Sequence, residues 1–252
     1  MPSRRDSVFH SPRFFLPWSQ GAFYSRALRY IWSVCSNYRP VTRLDRVLTF
    51  FGIERKRGQP IPDEIWRLGF APFIRLHEDG SGNKVIDDGL FGLLPHFAKE
   101  LAYGRKTYNA RSETVHQLPS FKESWSHGRR CIIPVEAVYE PCYESGKAVR
   151  WCVPQAVAVP MGIAGIYRQW RGPDGRYLWT FAMITVNADG HPVYQQLQAP
   201  GEEKRMVTIL DPADYDHWLE CSPEEAKSFF KQWAGPLEAF PAPLPPRGRK
   251  PK

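Results

Sequence analysis

The chain has 252 residues, a formal net charge of +8 and 42% hydrophobic residues, enough for a sizeable core in one large domain or two small ones. Its 24 prolines and 19 glycines exclude a helix bundle and favour short elements joined by turns. The basic balance suits a polyanionic partner, nucleic acid first, and equally an unspecialised solvated surface. No apolar run has the length of a membrane span, and five cysteines without a CxxC pair point to reduced thiols and away from a zinc site.

Residues 1–33 differ in texture from the remainder of the chain. Arg4, Arg5, Arg13, Arg26 and Arg29 stand against one acid, Asp6. Pro17, Gln20 and Arg26 interrupt any apolar stretch, which argues against a secretory signal; a transit peptide and a disordered arm stay open. From Cys35 onward the pattern is that of a folded domain. Thr42 is the expected N-cap of a short helix in which Leu44, Val47, Leu48 and Phe51 share one face, and Gly52 ends it. Residues 65–74 predict a strand and 79–83 (DGSGN) a hairpin tip. Residues 91–97 (FGLLPHF) carry an internal proline and read as a strand end entering a loop. Further strands are predicted over 131–141, 149–154, 163–170, 177–186 and 206–210, with a turn at 172–175. Asp211 as N-cap and Pro212 at the first helical position open a helix through Trp218, and 224–233 reads as another. Residues 236–252 are expected to be a disordered, basic, proline-rich tail. The fold class expected is α+β: a single domain over 35–235 with a mixed, largely antiparallel, barrel-like sheet flanked by short helices.

Two polar sites break these apolar patterns. Glu140, between Tyr139 and Pro141 at the end of a hydrophobic strand, is a partly desolvated carboxylate, which raises its pKa and suits it to proton transfer. Taken alone it reads first as a strand-end acid paired with a nearby arginine such as Arg129 or Arg130. The second site is Asn109-Ala110-Arg111-Ser112-Glu113-Thr114; singly, Asn109 is a turn residue and Arg111 a salt-bridge partner.

The combination is more specific. Cys-Ser-Asn-Tyr from Cys35, the FGLLPHF segment, Tyr-Asn-Ala-Arg-Ser-Glu-Thr at 108–114, Arg-Arg-Cys-Ile-Ile-Pro-Val-Glu-Ala-Val-Tyr-Glu at 129–140, Ala-Gly-Ile-Tyr at 164–167 and Lys-Arg-Met-Val-Thr-Ile-Leu at 204–210 occur in one order. That order and spacing resemble the SOS-response-associated peptidase family, the abasic-site processing proteins, over residues 35 to about 220. The resemblance implies a DNA-damage enzyme whose mature chain begins at a cysteine and which needs no cofactor and no metal. Its partner would be single-stranded DNA containing abasic sites. It would act as a monomer in the bacterial cytoplasm, at the nucleoid and away from membranes. It would carry an autopeptidase activity that exposes the cysteine, and a lyase activity.

Chemistry explains the terminal cysteine. An opened abasic sugar exposes an aldehyde; a free α-amine condenses with it to an imine, and the neighbouring thiolate closes a thiazolidine. An amide nitrogen is not nucleophilic, so an internal Cys35 cannot do this. By the resemblance, Cys35 supplies amine and thiolate, Glu140 is the acid/base, and Asn109 holds the amine or the opened sugar. Arg111 would clamp a neighbouring phosphate, and His96 and Phe97 would keep the strand bent and unstacked. Arg129, Arg130, Lys204 and Arg205 complete the expected DNA contacts.

Three features depart from the family pattern. Gln198 aligns with a histidine that assists ring opening and crosslink reversal, and Gln does not titrate near neutral pH. His191, the nearest histidine, reads as an exposed turn residue. Ser36-Asn37 replaces Gly-Arg after the cysteine, so one basic contact is expected to move to Arg39. Finally, residues 1–34 must be absent or removed, either by self-cleavage or because translation starts at the codon of Val34. Two other readings remain: a non-covalent single-stranded DNA-binding module that has lost catalysis, and a cysteine peptidase acting on other proteins.

Overall fold

The computed structural model describes residues 35–56 and 58–245. The expectations placed on residues 1–34, and on the tail beyond 245, lie outside the described residues.

The strands in chain order are β1 (Asn37–Pro40), β2 (Ile65–Trp66), β3 (Phe70–Leu76), β4 (Lys84–Phe91), β5 (Asn109–Arg111), β6 (Arg130–Cys142), β7 (Val149–Pro154), β8 (Met161–Arg171), β9 (Tyr177–Asn187), β10 (Arg205–Val207), β11 (Ile209–Leu210) and β12 (Phe240–Pro241). Short helices α1 (Leu44–Phe51), α2 (Lys122–Ser126) and α3 (Tyr215–Glu220) accompany them. Strands β6, β8, β9, β4 and β3 pair in a ring that closes from β3 back to β6, so the five form a barrel. Within it only the β4–β9 pair is parallel. The expected α+β class with a mixed, largely antiparallel, barrel-like sheet is therefore the observed one.

The strand period of two builds the core on both faces. Phe73, Phe91, Ile133, Ile163 and Phe181, one from each barrel strand, meet in the cluster that also holds Cys35 and Tyr38. Their alternates Ile74, Ile132, Ala164 and Ala182 meet Trp125 of α2 and Trp218 and Leu219 of α3 on the outside. With both faces covered, β6 and β8 read as nearly unbroken apolar runs. Two motif glycines are explained by close approach. A Cβ on Gly165 would lie 2.8 Å from the Ala182 carbonyl oxygen, and one on Gly92, at φ +142°, would lie 2.6 Å from the Gly104 carbonyl oxygen.

Several boundaries differ from the sequence expectation. Helix α1 starts one residue later, with Arg43 rather than Thr42 at the N-cap position; Gly52 ends it in the left-handed conformation, as expected. Only Val47 and Phe51 of its apolar face are buried. Leu44 and Leu48 remain 50% and 51% exposed, because α1 meets the sheet through one narrow stripe. The strand expected over 65–74 is broken into β2 and β3 by a turn in which Leu68 takes φ +68°. The hairpin tip joins β3 to β4 as expected, closed by His77 N–H donating to the Asn83 carbonyl at 2.8 Å. Asp211 caps the turn leading into α3, accepting from Ala213 N–H at 3.0 Å. The helix expected over 224–233 is only a 3-10 turn, Glu225–Phe229. The ordered chain also runs past 235: β12 pairs with β7, and Ala242 N–H donates to the Arg150 carbonyl at 2.8 Å, so the first part of the expected tail is a strand.

Candidate active site

Three of the four expected catalytic residues converge. The backbone nitrogen of Cys35 donates to Glu140 Oε1 at 3.1 Å, and Gln198 Nε2 donates to Glu140 Oε2 at 3.3 Å. Each reaches this point for a local reason. Glu140 lies on β6, one strand over from β1, with Tyr38 opposite Val138. Gln198 follows a bridge between Leu197 and Cys142, and its own N–H donates to the Pro141 carbonyl at 2.5 Å. The fourth, Asn109, sits on β5 opposite Met183 of β9. The Met183 sulfur lies 3.9 Å from Cys35 Sγ.

The Gln198 side chain has its orientation fixed from behind. Its Oε1 accepts from Arg205 N–H at 2.9 Å and its Nε2 donates to the Arg205 carbonyl at 2.6 Å. The amide cannot flip without losing both bonds, so a donor must face Glu140. Cys35 and Gln198 both hold the left-handed backbone region, at φ +43° and +64°, which L side chains disfavour.

Electrostatics follow from burial. Glu140 is 1% exposed, and desolvation pushes its carboxyl up to about 8, against the two hydrogen bonds from Gln198 and Cys35 that favour the anion. Burial first, and the Glu140 charge second, push the Cys35 thiol well above its ordinary range. In this state the site holds a neutral thiol beside a carboxyl that exchanges its proton near neutral pH.

The expected DNA-contacting set divides. Arg205 and Arg130 are not surface residues. Arg205 is 2% exposed; its Nη1 donates to Glu113 at 2.9 Å and Glu203 at 2.7 Å, and its Nη2 to the Thr185 carbonyl at 2.7 Å. Arg130 is buried and its Nε donates to the Trp218 carbonyl at 2.8 Å. Both are framework cations with no face for a phosphate, which corrects their assignment as DNA contacts. Arg39 and Arg111 are exposed, Arg111 pairing with Glu203 at 2.7 Å. Lys204 is half-buried and its Nζ donates to the Gln198 and Ala199 carbonyls at 3.2 and 2.8 Å. His96 is exposed and Phe97 is 43% exposed, the two rings edge-to-face at 5.2 Å. His96 and half-buried Arg129 share the Glu123 carboxylate with Arg168. The Arg168 hydrogen bond leads in holding that carboxyl below its usual range.

His191 corrects another expectation. It lies in a turn but is 4% exposed, and its Nδ1 accepts the N–H groups of Val193 and Tyr194. Nε2 therefore carries the proton and donates to the Trp233 carbonyl at 3.0 Å. The ring is a structural pin between its own turn and Trp233. Sequence reasoning also passed over Glu113 and Glu203, whose carboxylates hold Arg205. The fixed Asn-Ala-Arg-x-Glu spacing was the available signal for Glu113.

The chain is similar to known proteins over most of its length. The family model for SOS response associated peptidase (SRAP) matches residues 50–242, a span that includes Asn109, Glu140 and Gln198. The abasic site processing protein YoqW of Bacillus subtilis (strain 168) is 26% identical over 220 residues, covering 82% of this chain and 91% of that protein. The abasic site processing protein HMCES of Rattus norvegicus is 26% identical over 193 residues, covering 60% of this chain and 51% of that protein. A crystal structure of a Bordetella bronchiseptica protein superposes with a TM-score of 0.76 at 33% identity, covering 83% of this chain and all (100%) of the other. With the Cys35–Glu140–Gln198 cluster in place and the family match spanning most of the sequence, the chain belongs to the SOS response associated peptidase family.

Proposed function

We propose that this protein captures abasic sites in single-stranded DNA covalently, through the amine and thiol of Cys35 as chain terminus, and shields the lesion during the DNA-damage response. The single observation that carries the reading is the contact of the Cys35 backbone nitrogen with a buried carboxyl, Glu140, at 3.1 Å. An amide nitrogen gains little chemistry from such a neighbour. A terminal amine gains a proton acceptor, and one tuned to about 8 both takes and returns protons near neutral pH. Membership of the family and the names of its relatives, abasic site processing proteins, support the same reading.

The steps balance on the groups available. The free amine adds to the sugar aldehyde and water leaves as the imine forms; Glu140 relays the two amine protons in turn to the aldehyde oxygen, one on addition and one as that oxygen departs as water. The Cys35 sulfur then adds to the imine carbon, its proton passing to the nitrogen, and the five-membered ring closes. Asn109 holds the amine or the opened sugar. Arg39, Arg111, Lys204 and Arg129 supply phosphate contacts, and Phe97 and His96 a sequence-tolerant stacking platform. Residues 1–34 have no part in this chemistry, and the working form starts at Cys35, by self-cleavage or by initiation at Val34.

The test is a denaturing gel of the Cys35-start and Met1-start forms incubated with single-stranded abasic DNA. A shifted band with the Cys35-start form, lost in Cys35→Ala, is the expected result. No band from either form overturns the reading and leaves a non-covalent DNA-binding module.

Gln198 gives a second expectation. It orients Glu140 but cannot move a proton, so crosslink formation is retained while reversal is slow. Gln198→His should release a preformed crosslink faster than the parent by roughly tenfold or more, within the range for a general acid–base group. Equal release rates rule this out.

A further inference from the structure

Tyr194 stands beside this site without an assigned role. It belongs to the short turn Tyr194–Gln196, and its carbonyl accepts from Leu197 N–H at 3.0 Å, the residue before Gln198. Its side chain is fully buried in the cluster that contains Cys35, Met183, Leu197 and Met206. The ring is fixed edge-to-face against His191 at 5.4 Å, while the Tyr194 N–H donates to the same imidazole. Yet among the described residues its hydroxyl has no hydrogen-bond partner. A buried, unpartnered hydroxyl is destabilising, and one held in a rigid ring calls for an explanation. Its ionisation is shifted up by burial first, then by the charges of Glu140 and Cys35, which places the phenol within electrostatic reach of both. The Tyr38 hydroxyl is buried and unpartnered too, but its ionisation is shifted up by burial, then by Cys35 and Cys131, and not by Glu140.

We propose that the Tyr194 hydroxyl is the donor that opens the abasic sugar, in the place where this chain carries a non-titrating Gln198. This rests on the covalent reading above. An abasic deoxyribose is mostly a closed hemiacetal. Opening breaks the C1′–O4′ bond: Glu140 takes the proton of the 1′-hydroxyl, C1′ becomes the aldehyde carbon, and O4′ takes the proton of the phenol. Glu140 returns its proton to the phenolate, and no net proton is gained or lost. The unpartnered hydroxyl of the resting site is then the donor that the sugar oxygen satisfies.

Tyr194→Phe in the Cys35-start protein separates this from a packing role. The ring is kept, and the one atom lost has no partner to leave behind, so thermal stability should be equal or higher. Crosslinking to abasic single-stranded DNA at saturating concentration should slow by roughly 10²-fold. Adduct formation with propionaldehyde, an open-chain aldehyde with no ring to open, should keep its parent rate. Wild-type crosslinking by Tyr194→Phe overturns the proposal and leaves the covalent reading standing. Equal loss on DNA and on propionaldehyde also overturns it, since the defect then lies outside ring opening. If the parent itself forms no crosslink, the covalent reading fails, and this proposal with it.

Discussion

Glu140→Gln in the Cys35-start protein should slow crosslinking to abasic single-stranded DNA by roughly 10²–10⁴-fold, the usual effect of losing a positioned acid/base. Non-covalent affinity for intact DNA should stay within about twofold, because Glu140 is buried and touches Cys35 and Gln198 rather than the surface. Gel shift under native and denaturing conditions reads both quantities. A variant that crosslinks at the parent rate would remove Glu140 from the mechanism. Gln fills the same volume but cannot accept at both positions. Gln198 presents a donor fixed by Arg205, so the new amide group turns toward Cys35 and meets its nitrogen donor to donor.

The same substitution has a signature in the stability of the full-length chain. The folded Glu140 carboxyl titrates near 8, against 4.5 in the unfolded chain. Between those values the native state holds a proton that the unfolded state has lost, so stability falls as pH rises across this window. The penalty is absent below about pH 4.5 and complete above about pH 8, where it reaches on the order of 5 kcal/mol. Glu140→Gln does not titrate. The difference in unfolding free energy should shift steadily toward the variant between pH 5 and 8, whatever its offset at low pH. Urea unfolding at four or five pH values measures that slope, and a flat difference would mean the carboxyl is not protonated in the fold. In the Cys35-start form an ammonium replaces the amide nitrogen beside Glu140. The two groups then share protons as a pair, and the slope should flatten.

Much of this was legible in the chain because it rests on local rules. Alternation and turn chemistry marked β6 to β9 and the β3–β4 hairpin, and Asp211 with Pro212 marked the approach to α3. The placement of Glu140 at an apolar strand end announced a desolvated carboxyl, and the structure buries it fully. What failed depended on tertiary contact. Arg205, in a basic Lys-Arg pair, reads as a phosphate contact until Glu113, 92 residues away along the chain, is folded against it. Arg130 is lost to the Trp218 carbonyl in the same way, 88 residues away. His191 was misplaced because nothing local reveals that its turn is covered by Trp233. Strand β12 escaped because a proline-rich segment gains its order only from the edge of β7.

Arg205→Met should lower the unfolding free energy by about 3 kcal/mol, in the range for removing one partner of a buried ion pair, scaled down because Glu113 and Glu203 are half-exposed. The guanidinium is 2% exposed and holds two carboxylates and the Thr185 carbonyl; its loss takes the cation from Glu113 and leaves Glu203 to Arg111 and the Thr185 carbonyl to Ser112 N–H. Arg205→Lys should recover only part of this, because one ammonium cannot span the same three acceptors with the same geometry. The effect on DNA separates framework from contact. A cation lost from a phosphate contact lowers the slope of log affinity against log salt by about one. Arg205→Met, measured on intact single-stranded DNA below its unfolding temperature, should leave that slope unchanged, whereas Arg111→Ala should reduce it. Crosslinking by Arg205→Met should fall only as far as loss of the side-chain anchors lets the Arg205 backbone, which orients Gln198 toward Glu140, shift. A reduced salt slope in Arg205→Met would restore this residue to the DNA surface and contradict its burial.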